Sequence, residues 1–314
     1  LTARHAAASA GALTGRDLAA ALAIVVIWGL NFLAMKFALH DFTPFQLGAA
    51  RYVFAALPLV LWVRRPGLHW KWVVLYGLCQ GVGQFGFLFS ALKVGMTASL
   101  ASVLMQTQVF FTALFGFLLL HERPSRQLQI GLALAALGLV CFGLNYLTPG
   151  AAAGTTAWGF ALSLCAAAMW AASNIVARKA QQAGGSFDPL AFVVWSALAP
   201  ILPFIALTAW LDPVATHWRW TDASAQSWVS VAFLSWVATV AAYSMWTGLL
   251  KRHPANRVAP FSLGVPVVGI TAGMLVLGES VSPWQWAGIV LVVAALACVL
   301  LGPALGRRLR RAPA

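Results

Sequence analysis

Two short stretches set hydrogen-bonding side chains inside runs of sequence that otherwise resemble hydrocarbon. Trp28, Gly29, Leu30, Asn31 and Lys36 bring an indole, an amide and an amine into the first apolar run; Trp170, Asn174 and Lys179 repeat the pattern in the second half, with the same five-residue step from amide to amine. Polar groups are costly in a bilayer, so a pair recurring in equivalent places points to a cavity where two repeats meet. The competing reading is glue, each amide bonding a neighbouring helix. Trp28 and Asn31 are three residues apart and share a helical face, whereas Trp170 and Asn174 are four apart, so the internal symmetry is imperfect.

Further polar groups lie in the other apolar runs. Gln80 and Gln84 fall one turn apart among Gly77, Gly81, Gly83 and Gly86; the glycines suit close helix approach, and the amides need partners from either a helix or a solute. The fourth run carries Ser99, Ser102 and Gln106 on one face and Gln108, Thr112 and Gly116 on nearly the opposite one. Only one stripe is expected to face a cavity, and Gln106 is the candidate. Trp236, Thr239, Tyr243, Trp246 and Thr247 form another stripe at three-to-four spacing, either packing or pocket wall.

Arg51 is seven residues past Pro44, roughly 10 Å into its helix at 1.5 Å per residue. At that depth a guanidinium can snorkel, pair with a passing carboxylate or tie helices together, and a structural or gating role is the expectation. Lys36 and Lys179 stand at expected helix ends, where snorkelling is the default. Pro58, Pro200, Pro203, Pro260 and Pro266 interrupt helices, and Pro260 and Pro266, beside Gly264 and Gly269, are candidate hinges. The candidate binding set is therefore Trp28, Asn31, Gln80, Gln84, Gln106, Trp170, Asn174, Tyr243 and Trp246, with Lys36, Arg51, Pro260 and Pro266 as gating or structural residues.

Several chemistries are disfavoured. The six histidines (His5, His40, His69, His121, His217, His253) fall in tails, loops or helix ends, and the four cysteines (Cys79, Cys141, Cys165, Cys298) lie one apiece in separate apolar runs. Neither set has metal-ligand spacing or a nucleophile–base arrangement, so no enzyme, metal or cofactor is expected. The +13 formal charge lies between apolar runs rather than in an aromatic-interleaved patch, which argues against nucleic acid.

The elements that must position these residues are spans. With 61% hydrophobic and 9% charged residues over 314 positions, apolar runs near 20 residues recur throughout, the pattern of an all-α polytopic membrane protein. Ten spans are expected, near residues 17–38, 44–63, 71–92, 97–120, 127–146, 157–178, 189–211, 227–250, 256–277 and 284–303. The first lacks a cleavage site and is expected to be retained. If the N-terminus is inside, 16 Lys and Arg fall on inner segments and three (Lys36, Lys93, Arg219) on outer ones, which predicts cytoplasmic termini. An uncharged linker, 148–156, divides the spans into five and five, so the halves cross in opposite senses: a tail at 1–16, a first repeat at 17–147, a second at 157–303, and a basic tail at 304–314. Leu92-Lys93 recurs as Leu250-Lys251, Glu122 as Glu279 and Gly131 as Gly288. Inverted repeats are the signature of alternating-access transporters.

The order of Trp28, Gly29, Asn31 and Lys36, then Arg51, the Gln-Thr-Gln of 106–108 and the two Glu-to-Gly pairs resembles the ten-helix EamA-type family of the drug/metabolite transporter superfamily. Within it the likeness is strongest to exporters of O-acetylserine and cysteine, at Trp28–Phe32, Ala98–Ser102 and Val258–Pro260. The resemblance implies efflux of small amino-acid metabolites across a bacterial inner membrane. Two alternatives stay open: a multidrug or organic-cation exporter, since aromatics bind cations, and a membrane scaffold that transports nothing. Oligomeric state is not indicated. All seven acids (Asp17, Asp41, Glu122, Asp188, Asp212, Asp222, Glu279) lie in loops or at helix ends, so transport uncoupled from protons is expected.

Overall fold

A computed structural model describes residues 14–120, 126–147, 155–184, 188–253 and 258–309. The tail before residue 14, Glu122, the linker 148–154, the last five residues and the Pro260 side chain lie outside the described residues. Those that are described are helical, with no strands among them. The helices are α1 (Gly15–Asp41), α2 (Pro44–Val60), α3 (Trp70–Lys93), α4 (98–120), α5 (Arg126–Leu147), α6 (Ala157–Gly184), α7 (189–211), α8 (225–252), α9 (259–277) and α10 (Pro283–Leu309). Among the described residues seven, namely α1 and α3 to α8, are long and apolar enough to cross a membrane, and two shorter apolar helices, Phe261–Leu277 and Pro283–Val299, follow them.

Polar caps set the helix ends. Thr14 and Thr43 each close a capping box, with Asp17 and with Gln46, and Pro44 fills the first turn of α2 where its missing N–H costs nothing. Thr97 starts α4 and Ser224 starts α8, while α9 ends on Gly278, whose φ of 64° is the left-handed conformation that favours glycine. The outward faces are apolar, as with Trp210 (83% exposed) and Leu275 (80% exposed), a surface suited to lipid rather than water.

Packing is interlaced. Helix α1 lies on α9 and α6 on α4; α3 lies on α6 and α8 on α1; α5 meets α10, α4 meets α9 and α2 meets α7. Helices α5 and α10 run antiparallel and nearly touch: a Cβ on Gly138 would fall 3.0 Å from the Gly288 carbonyl oxygen, and one on Gly131 would fall 3.2 Å from that of Ala295. The glycines of α3 serve the same end, since a Cβ on Gly81 would sit 2.0 Å from Pro200 Cγ and one on Gly77 would sit 2.2 Å from the Ser196 carbonyl.

Four helices depart from α geometry, three of them partway along and α9 at its start. In α3 and α8 the segments Leu78–Phe85 and Phe233–Ala241 are wound as π-helix, and in α4 and α9 Met105–Thr107 and Ala259–Leu263 tighten to 3₁₀. Helix α7 breaks at 197–200, just ahead of its segment Ile201–Leu211, with Pro200 capping that segment. Such irregular turns are tolerated in a membrane where they line a cavity or are buried in protein.

Candidate functional site

The winding irregularities surround a cavity of about 450 Å³. Helix α1 supplies Trp28 and Asn31, α3 supplies Gln84 and Phe85, α6 supplies Trp170 and Asn174, and α8 supplies Tyr243 and Trp246. Arg51 enters from α2, and Ser102, Gln106 and Gln108 from α4. Eight of the nine candidate binding residues thus line one space. Gln80 lies behind it, donating to the Tyr243 hydroxyl at 2.8 Å and accepting from Ser173 Oγ at 3.4 Å, and so fixes the phenol that faces the cavity.

The expectation that only one stripe of α4 faces inward is corrected. Gln106 and Gln108 both line the cavity because the 3₁₀ turn at Met105–Thr107, with three residues per turn instead of 3.6, draws the two stripes together. Gln106 Nε2 donates to the Ser262 carbonyl at 2.7 Å, tying α4 to α9, and Gln108 Oε1 accepts from Asn174 Nδ2 at 2.9 Å. The α8 stripe also divides: Tyr243 and Trp246 face the cavity, but Trp236 is 49% exposed and points outward, donating to the Phe54 carbonyl. The intervening π turn accounts for this, since 4.4 or so residues per turn carries Trp236 off the face defined by a 3.6 period.

Asn31 and Asn174, alike in sequence, differ in surroundings. Asn174 is held by Gln108 and by Thr112 Oγ1 at 3.2 Å. Asn31 is 8% exposed, and its Oδ1 has no partner. Trp28 packs against Tyr243 and Trp246 with ring centroids 5.3 and 5.4 Å apart, and its indole N–H donates to the Ala238 carbonyl at 3.2 Å.

Arg51 is 1% exposed. Its Nε and Nη2 donate to Thr239 Oγ1 at 3.2 and 3.0 Å, and its guanidinium carbon lies 3.9 Å from the centre of the Phe85 ring. The Thr239 hydroxyl donates in turn to the Leu234 carbonyl five residues back, a reach that the π turn permits. Lys36 does not snorkel: Nζ donates to the Leu92 carbonyl at 3.0 Å and ties α1 to α3. Pro266 is buried in α9, next to Val265 at the cavity wall.

The two ends of the cavity differ. At the C-terminal end of α1, carboxylates bind across the halves. Asp41 accepts from Ser224 N and Oγ and from Ser227 Oγ, Asp212 accepts from the Thr43 hydroxyl, and Glu279 accepts from Ala98 N, Ser99 N and Ser99 Oγ at 2.7, 2.8 and 2.6 Å. Thr155, in the stretch expected as linker, is buried and accepts from Gln285 Nε2. Toward the other end the cavity wall extends to Phe192 and to Gln181, which is solvent-exposed. There Asp17 pairs with Arg252 and His253 at 2.9 Å each. Among the described residues no carboxylate lines the cavity, and no cluster of His, Cys, Asp or Glu has the makings of a metal site.

Comparison with known proteins fits this architecture. A model described as the EamA-like transporter family matches residues 17–144 and 157–301. A Salmonella typhimurium protein named a probable amino-acid metabolite efflux pump is 39% identical over 286 residues, covering 90% of this chain and 94% of the relative. An Escherichia coli protein of the same name is 37% identical over 285 residues, with 90% and 94% covered. A solved structure superposes with a TM-score of 0.61 at 20% identity, covering 96% of this chain and all of the other, and shares its fold.

Proposed function

Because this chain belongs to the EamA-like transporter family, we propose that it is a secondary exporter of small amino-acid-like metabolites, O-acetylserine and cysteine among them, working by alternating access in a bacterial inner membrane. Multi-pass membrane embedding is the premise. The observation that carries the proposal is the cavity: aromatic rings and neutral amides from both halves, one guanidinium and, among the described residues, no acid. Such a wall suits a small zwitterion. The names of the two bacterial relatives point to the same solute class.

The reading includes ten spans in two inverted repeats of five. Its support is that the packing pairs map onto one another when the halves are exchanged: α1 on α9 becomes α6 on α4, and α3 on α6 becomes α8 on α1. The α5–α10 approach does the same, Gly138 with Gly288 exchanging for Ala295 with Gly131, and its antiparallel course is the one that inverted halves would produce. With cytoplasmic termini, the distribution of Lys and Arg turns the Gln181 end of the cavity to the cytoplasm and the carboxylate-bound end outward. That is the loading state of an exporter. Among the described residues no acid stands where proton and solute would compete, and on this reading transport runs down the solute's own gradient.

One observation favours an organic cation instead, the Trp28, Tyr243 and Trp246 cluster; that no counter-charge lines the cavity among the described residues weighs against it. Uptake of labelled amino acids, sugars and organic cations into inverted vesicles is the test. Saturable uptake of small amino acids is the expected result. Flux of cations alone moves the assignment to a cation exporter, and flux of nothing overturns transport. Accumulation of a non-titrating solute in proteoliposomes driven by a pH gradient alone overturns the uncoupled mechanism.

A further inference from the structure

Three buried polar atoms in the cavity wall lack a hydrogen-bond partner: Arg51 Nη1, Asn31 Oδ1 and Gln84 Oε1. One is a cationic donor and two are acceptors. Their side chains are at least nine-tenths buried, at 1%, 8% and 3% exposure. Buried polar atoms are nearly always paired, and one left bare costs a protein stability without return unless something else completes it.

Arg51 is the most demanding of the three. A guanidinium stays charged in proteins, and a buried charge needs a partner of opposite sign. Among the described residues no carboxylate bonds to it; Thr239 occupies Nε and Nη2, and the Phe85 ring covers one face of the plane. These contacts orient the fork and leave Nη1 buried without a partner. Gln84 from α3 and Asn31 from α1 line the same cavity as Arg51, so two unpaired acceptors share that space with the guanidinium.

We propose that Arg51 is the carboxylate anchor of the transport site, Nη1 binding the solute's carboxylate while Asn31 Oδ1 and Gln84 Oε1 take its ammonium. Arg51 thus selects solutes rather than serving only to gate or brace. The solute class is narrowed to molecules with a free carboxylate and an amine a few atoms apart, and cations without a carboxylate are rejected because they leave Nη1 bare and add like charge. The inference rests on the amino-acid export reading.

The test uses the purified full chain in proteoliposomes, with O-acetyl-L-serine, L-cysteine and L-threonine, each beside its methyl ester and its decarboxylated amine. Wild-type protein is expected to carry the acids about tenfold or more faster than their esters and amines, the discrimination of one charge-assisted hydrogen bond. Arg51→Lys, which keeps the charge, is expected to retain part of that preference. Arg51→Gln is expected to abolish it. Equal flux of acids and esters in wild-type protein overturns the anchor while leaving amino-acid export standing, and it does so even if Arg51→Gln fails to fold. So does an unchanged preference in Arg51→Gln. Flux of none of the three acids overturns the export reading and the anchor with it.

Discussion

Glu279 joins the loop after α9 to the first turn of α4, with one carboxylate accepting two backbone N–H groups and the Ser99 hydroxyl. Replacing it with Gln keeps one acceptor oxygen but removes the other and the negative charge at a helix N-terminus. The lost bond is worth about 1 kcal/mol and the charge–dipole interaction about 0.5–1 kcal/mol. On the proposed orientation and alternating access, together they shift the balance toward an open outer end by about 1.5–2 kcal/mol, up to roughly 30-fold in population. Glu279→Ala removes all three bonds and leaves the Ala98 and Ser99 amides bare, so its shift is larger. The readout is a cysteine at Ser102, which lines the cavity one turn beyond Ser99, in a chain with Cys79, Cys141, Cys165 and Cys298 replaced. A membrane-impermeant maleimide added to intact cells is expected to label Ser102→Cys roughly 10- to 30-fold faster with Glu279→Gln, and faster still with Glu279→Ala. Labelling of the Glu279→Ala protein no faster than its parent refutes the closure. A lowered melting temperature at unchanged labelling refutes it too, because Glu279 then steadies both states alike.

Asn31→Leu is expected to cut transport at least tenfold with near-normal melting, while Asn174→Leu, which strips partners from Gln108 and Thr112, is expected to lower stability by about 1–2 kcal/mol; flux and thermal unfolding of both variants distinguish them. Gly81→Ala is expected to destabilise by about 1–3 kcal/mol through overpacking against Pro200, and an unchanged melting temperature contradicts the close approach. For the proposed topology, single cysteines at exposed Asp222 and Arg64 are expected to differ, with only Asp222→Cys reacting with impermeant reagent in intact cells; the reverse pattern inverts the orientation.

The spans and most of the cavity were legible because hydrophobic length and isolated polar side chains are local properties. Trp28, Asn31, Trp170 and Asn174 stand out against apolar neighbours and do meet at one space. What a regular 3.6 period hides is local winding: it separates Gln106 from Gln108 and groups Trp236 with Tyr243, and the 3₁₀ and π turns reverse both. Partnership is equally invisible along the chain. Nothing near Arg51 announces that Thr239 will hold two of its nitrogens, or that Asn174 will be satisfied while Asn31 is not. Thr155 falls in the uncharged linker, and its hydrogen bond from Gln285 cannot be read along the chain.

The winding irregularities are themselves paired, π turns in α3 and α8 and 3₁₀ turns in α4 and α9, helices that the proposed inverted repeat makes equivalent. Two halves built alike each already contain the shape the other holds, so exchanging their roles requires no new structure. Were the halves identical, the inward- and outward-facing forms would be mirror assignments of one molecule and equally populated. Bias then resides wholly in the mismatches: Asn31 with a bare oxygen against a bonded Asn174, a three-residue step against a four-residue one, and Arg51 without an arginine twin on α7. Each 1.4 kcal/mol of such difference tilts the resting population tenfold, which makes the flaws in the symmetry, rather than the symmetry, the place where the resting state of the proposed carrier is chosen.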